Sequence, residues 1–442
     1  MKLLLKSQYS IAYILWAIFF GAYLLYPGKV NPFSMTGFYL TLFFCLFFLL
    51  FNKLQFKNVL KNETTFTIPQ EKLNQLNLIF LIISSIGLGL HLWDKIGLRG
   101  YNYFSCIDVR ELWLADGATR KSGVSSWQSA FGHILVFFSV FPVIFSDLKE
   151  KAGKAFFSLS CIIFIIYCWT IVSRSSLLAY SIMCIASFHH FYVIGYISRK
   201  EFFKKFVTLF SLLLLFVVLT FSKKIACANI ESTAEFVEGS MREHKLSFEV
   251  IGGKLGPYPV QAIDSVLNPV FKAIKNTVEL PDSMFQGNNK SAYVSNAIPL
   301  YIGNGINNFT QVANKNIDHD YKFIFNPFIG ITNRLLGSTV IEVSDLRRTF
   351  TQGFINYPGA VYLTFGKWGI LFFPLIIGVV LRFLYIYSSG NILLIPLVSF
   401  LQSFAILAPL TNLTSNMSTP FLFFASIVVT IISFLMKIKS RR

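Results

Sequence analysis

Arg174 stands in Ser173-Arg174-Ser175-Ser176, a very short connection between two apolar blocks. A guanidinium held at a membrane edge, with no acid beside it in the sequence, is costly unless it meets an anion. Two uses are open to it. One is snorkelling to the interface or pairing with a loop carboxylate. The other is a bidentate grip on a diphosphate. Arg347 and Arg348 lie close to Glu342 and Asp345. Ten residues separate Arg348 from Gly359, and the same spacing recurs from Arg242 to Gly253. Such arginines either hold a phosphate or sugar carboxylate or form ordinary loop ion pairs. Asp318-His319-Asp320 is the densest cluster of proton-transfer groups. It can supply a general base for a sugar hydroxyl, or it is a solvated turn. It also spells the DxD of metal-dependent glycosyltransferases, but their nucleotide sugars are cytoplasmic and this segment is expected outside. The stretch Tyr357-Pro358-Gly359 through Gly366-Lys367-Trp368-Gly369 combines three glycines and a proline with Tyr, Lys and Trp. It suits a tight re-entry and an anchor in the headgroup zone.

The elements that must position these residues are apolar helices. Hydrophobic residues are 54% of the 442 and charged residues 14%, against about 25% charged in soluble proteins. The excess falls into ten blocks, 9–26, 35–51, 76–93, 129–146, 156–173, 175–197, 206–222, 369–387, 391–408 and 419–436. Each approaches the roughly 20 residues that a spanning helix needs, and the shorter ones must borrow neighbours or tilt. The first block follows Lys2 and Lys6 like a signal peptide, but lacks a small-residue cleavage site and is expected to be retained.

The net charge of +18 does not point to nucleic acid, because the charge sits at the ends of the blocks. With the amino terminus inside, the inner connections collect Lys53, Lys57, Lys61, Lys72, Lys149, Lys151, Lys154, Arg199, Lys200, Lys204 and Lys205, and the basic tail. Their acids are only Glu63, Glu71, Asp147, Glu150 and Glu201. That Lys/Arg bias sets orientation. The expectation is an all-α polytopic membrane protein of about ten transmembrane helices with both termini cytoplasmic. Residues 1–222 hold seven spans and an outer loop at 94–128. Residues 223–368 form one large periplasmic loop between spans seven and eight, and 369–442 hold three spans and the tail. A loop of that length is expected to carry function, with its apolar stretches 297–306 and 323–331 folding onto the membrane face.

All 21 acids are placed in connections. This argues against a carboxylate-coupled transporter, which keeps ionisable groups at mid-membrane. His91, His133, His189 and His190, in or at the edges of spans, are read as interfacial or helix-bonded imidazoles. Cys45, Cys161, Cys168 and Cys184 are read as packing residues. Cys106 and Cys227 fall outside, where a disulfide between them is open. No metal-ligand spacing of Cys and His occurs.

Taken together, the chain resembles the O-antigen polymerases, the oligosaccharide repeat unit polymerases of the bacterial inner membrane. The span count, the late outer loop, the Ser-Arg-Ser-Ser hairpin, the two Arg-x10-Gly spacings and Tyr362-Leu363-Thr364-Phe365-Gly366…Gly369 carry the resemblance. It covers the whole chain as architecture and about thirty residues as motif. One departure matters: many members carry an acid two positions before that Tyr, where this chain has Ala360.

The resemblance implies glycosyl transfer, inverting or retaining, at the periplasmic face. One undecaprenyl-diphosphate-linked oligosaccharide donates its glycan to a sugar hydroxyl of a second. No cofactor or metal is needed, because arginines can offset the departing diphosphate charge. Arg174 and Arg348 are assigned to the diphosphate, with Arg242 and Arg120 as further candidates, and His319 or Asp345 as the base. The lipid bilayer is a partner, a chain-length regulator is left open, and nucleic acid is excluded. The competing readings are an O-antigen ligase, which transfers finished polymer to lipid A core, and a lipid-linked oligosaccharide flippase. Against the flippase stand the long loop and the lack of an internal repeat.

Overall fold

A computed structural model describes residues 9–24, 35–50, 68–98, 100, 127–171, 174–227, 305–306, 308–310, 312–314, 319–336, 341–342, 355–388, 390–410 and 418–441. Every regular element among them is helical. In chain order these are α1 Ser10–Leu24, α2 Thr36–Leu50, α3 Gln70–Leu92, α4 Trp127–Val136, α5 Val140–Phe145, α6 Lys151–Thr170, α7 Arg174–Val193, α8 Arg199–Cys227, α9 Asn326–Leu336, α10 Tyr357–Ser388, α11 Ile395–Leu407 and α12 Ser418–Arg441.

The helices hide polar groups and show apolar ones. On α3, Asn77, Ser84, Gly87 and His91 are buried while Ile79, Ile82 and Ile86 are about half exposed. On α10, Gly378 is buried and Ile376 is 61% exposed. Water would penalise such a surface, and a bilayer would not. Among the described residues, five stretches are long and apolar enough to cross a membrane: Gln70–Leu98, Lys151–Ile171, Ser176–Val193, Tyr357–Ser388 and Thr419–Met436. Four shorter apolar helical stretches accompany them: Ser10–Gly21, Thr36–Leu50, Phe131–Phe145 and Ile392–Leu407. This is the build of a polytopic membrane protein.

Local chemistry explains the irregular places. α4 and α5 form one rod broken by a 3-10 turn at Phe137–Ser139. Pro142, inside α5, has no N–H for the Phe138 carbonyl and its ring crowds it, so the rod tightens there. α3 and α4 approach closely, for a Cβ on Gly87 would lie 2.6 Å from the Val136 backbone nitrogen.

Neighbouring contacts fix the helix directions. Asn74 donates to Glu150 Oε2 (3.1 Å) near the start of α3 and α6, and His91 meets Thr170 (2.9 Å) at their other ends, so these two run parallel. His190 on α7 meets Ser388 at the end of α10 (2.9 Å). His133 stacks on Phe421 near the starts of α4 and α12. The bundle thus has two ends. One gathers His91, His133, Thr170, the first residue of α7 and the 305–325 region. The other gathers Glu150, Glu201, Lys205, His190 and Ser388.

Three expectations change. The third block, 76–93, is the middle of a longer helix that starts at Gln70 and continues through a π-helical turn to Leu98. Asp94 is therefore not in a connection: it is buried, 3.5 Å from the equally buried Lys95. The seventh block, 206–222, lies within the longer α8. The eighth, 369–387, matches the arm that follows the break at Gly366, and a further helical arm, 357–365, precedes it.

Candidate functional site

The site is built around the start of α10. Asn356 precedes that helix and caps it, its Oδ1 accepting the Gly359 N–H (2.9 Å). Its Nδ2 donates to Thr41 Oγ1 on α2 (2.8 Å). The Tyr357 N–H donates to the Ala408 carbonyl at the end of α11 (3.1 Å), and the Asn356 N–H to Gly305 (3.4 Å). Four separate chain segments therefore meet at a buried helix start.

From there the chain runs to Gly366 and turns back. Gly366 has φ 68° and ψ −159°, a conformation essentially confined to glycine. Tyr357 and Phe373 are sixteen residues apart, which in a straight helix would separate them by about 24 Å. Their ring centroids are 6.0 Å apart, so α10 is a crook with a short arm, 357–365, and a spanning arm, 367–388. The re-entry suggested by three glycines and a proline is what the backbone does.

His319 lies over this crook. A Cβ on Gly366 would come within 2.8 Å of His319 Nε2, so a side chain there would strike the ring. The imidazole stands edge-on to Tyr362 at 5.5 Å and is exposed. The Asp320 N–H donates to the Leu363 carbonyl (2.9 Å), tying the 319–325 strap to the short arm. Asp320 Oδ1 accepts the Lys322 N–H (2.9 Å), so this carboxylate organises its own turn. Among the described residues no group of three His, Cys, Asp or Glu is placed to hold a metal.

Below the crook lies an apolar slot of about 150 Å³. The spanning arm contributes Phe373 and Ile377, α11 contributes Phe400 and Phe404, and Phe328 closes it from the strap side. Tyr357 is its one polar side chain.

The sequence candidates fall as follows. Arg174 is the first residue of α7 and opens that helix at the His319 end. His319 joins the Tyr362–Gly366 motif. Arg120, Arg242, Asp345, Arg348 and Cys106 lie outside the described residues, and only the backbone of Cys227, at the end of α8, is described. Gly359 and Ala360 are both buried at the cap.

Two polar constellations were not legible. At the His319 end, His133 Nδ1 lies 2.7 Å from the Tyr167 hydroxyl, and His91 packs 4.8 Å from His133, centroid to centroid. At the other end, His190 stacks on Tyr385 at 4.1 Å, with Arg382 5.9 Å from the same ring. His91, His189 and His190 are buried, and His91 and His190 bond to Thr170 and Ser388 on other helices, as the helix-bonded alternative has it. The signal available was four histidines within apolar blocks, but not their partners, which lie up to 198 residues away.

Comparison with family models, with curated proteins and with solved structures returned no match.

Proposed function

We propose that the chain polymerises undecaprenyl-diphosphate-linked oligosaccharide repeat units at the periplasmic face of the bacterial inner membrane. In this reading it has about ten spans with both termini cytoplasmic, and the His319 end faces outward. One observation carries it: His319, the candidate base, packs on the Tyr362–Gly366 motif at the end of the bundle where Arg174 opens α7.

The chemistry follows from those groups. His319, as neutral imidazole, takes the proton from an acceptor sugar hydroxyl. That oxygen forms a bond to the anomeric carbon of the donor glycan. The bond from that carbon to the diphosphate oxygen breaks, and polyprenyl diphosphate leaves with the electron pair. Arg174, joined by Arg348 and then Arg242 and Arg120, offsets the charge on the leaving diphosphate. A proton and a charge are thereby managed by side chains alone. Basic outer residues also draw anionic lipid-linked substrates to that face.

Deleting the gene in its host and resolving lipopolysaccharide on a gel tests the reading. The expected result is collapse of the ladder to core plus one repeat, restored by the wild-type gene. An unchanged ladder overturns it for that polysaccharide. Finished polymer that stays on the lipid carrier points instead to a ligase.

A further inference from the structure

We infer that His91, His133, Asp94 and Lys95 form a proton-binding site at the His319 end of the bundle, separate from the crook. This inference does not rest on the polymerase reading.

The charged pair sits where a spanning helix changes pitch. Gln70–Leu98, one of the five stretches able to cross a membrane, ends in the π-helical turn Trp93–Leu98. Such turns recur at functional sites. Trp93 and Leu98 are 60% and 54% exposed there, while Asp94 and Lys95 are 1% and 4% exposed. The apolar side chains face out and the ionisable ones face in. Charges inside a spanning segment are costly to keep, and they recur where protons are bound and relayed. His91 lies one turn earlier on the same buried face.

Hydrogen-bond valence fixes where a proton goes. The Thr170 hydroxyl donates to the Tyr167 carbonyl (2.8 Å). It therefore accepts from His91 Nε2–H (2.9 Å), and a second proton on that ring enters at Nδ1. His133 Nδ1 meets the Tyr167 hydroxyl (2.7 Å). That hydroxyl donates to a neutral ring and accepts from a protonated one, so the bond survives either state. The two rings stand 4.8 Å apart, centroid to centroid. Among the described residues, the titratable groups around them are Asp94 and Lys95 on the π-helical turn and Tyr167 on α6, while α12 offers the Phe421 ring. Asp94 is the acid of that set and supplies the negative charge that an added proton needs.

The opposite end of the bundle repeats the scaffold with the other sign of charge. His190 Nε2 meets the Ser388 hydroxyl (2.9 Å), which donates to the Tyr385 carbonyl (2.7 Å). The charged neighbour on that tyrosine ring is Arg382. His190 is thus an internal reference for the pair. The crook is apart from it too: His133 stacks on Phe421 and Phe328 of α9 packs on Phe423, two residues that leave α12 on opposite sides.

The test is a pH titration of the full chain in phosphatidylglycerol nanodiscs, with carbon-13-labelled histidine read by NMR. The lines are assigned with His91→Gln, His133→Gln and His190→Gln. The expected result is that the His91 and His133 lines move between about pH 5 and 8 while His190 stays still. Asp94→Asn should weaken the proton affinity about tenfold, and Lys95→Gln should strengthen it by a similar factor. If Asp94→Asn does not fold, Lys95→Gln decides alone. Stationary His91 and His133 lines overturn the assignment. A midpoint that neither charge variant moves overturns it, as does one shared with His190, which reports the whole bundle rather than this site.

Discussion

The two ends of the bundle are built on opposite plans. At the Lys205 end, cations and carbonyls close on one another. Lys205 Nζ donates to the Ile144 carbonyl (3.1 Å), capping the end of the α5 rod, and Lys204 Nζ donates to the Leu148 carbonyl in the turn that follows (3.2 Å). Glu201 accepts from the Ser198 N–H (3.0 Å) while Ser198 Oγ accepts from the Glu201 N–H (3.3 Å), a reciprocal cap on α8. At the His319 end the backbone takes a glycine-only turn, a helix starts inside the bundle, and an imidazole is left exposed over the turn. The first end closes its polar groups on the backbone, and the second leaves an imidazole exposed over a glycine turn.

That contrast breaks most easily at Gly366. Gly366→Ala puts a methyl against His319 in a disfavoured conformation. It should lower stability in detergent by about 1–3 kcal/mol, and abolish the polymer ladder. A wild-type ladder would mean that the crook is merely structural. Next in size, Asn356→Ala removes both the cap and the Thr41 bond. A loss of about 2 kcal/mol is expected, read as a fall in melting temperature, since the buried Gly359 N–H loses its partner and Thr41 keeps only its bond to the Gly37 carbonyl. Lys205→Met sharpens the comparison from the other side. It should cost about 1 kcal/mol by uncapping Ile144, with chain length in the ladder unchanged. The smallest effect belongs to the exposed Lys149–Glu201 pair, 2.7 Å apart. The hydrogen bond to Glu201 raises the Lys149 pKa, yet Lys149→Ala should leave the ladder and the melting temperature unmoved, because surface pairs contribute little.

The sequence carried what is local. The apolar blocks and the glycine-proline stretch mark helices and the turn at Gly366, because each is written within a few consecutive residues. It did not carry partnerships. Asn356 looks like any loop asparagine until Thr41, 315 residues away, is folded against it. Asp94 reads as a connection residue because its charge ends the apolar run, but the helix continues and an adjacent lysine offsets the buried carboxylate. The histidines read as interfacial or helix-bonded, and the partners that decide between the two, Tyr167, Thr170 and Ser388, lie on other helices and were not visible in one dimension. Of the candidate site, His319 and the Tyr362–Gly366 motif were visible separately. Their contact depends on a strap that crosses the turn.

His319 is where the two halves of that site meet, so its side chain is the sharpest probe. A deletion host carrying His319→Gln, with membrane levels of the protein matched to wild type by immunoblot, should show core plus a single repeat on the lipopolysaccharide gel. A full wild-type ladder from that variant would contradict His319 as the base and leave the crook without its proposed chemistry.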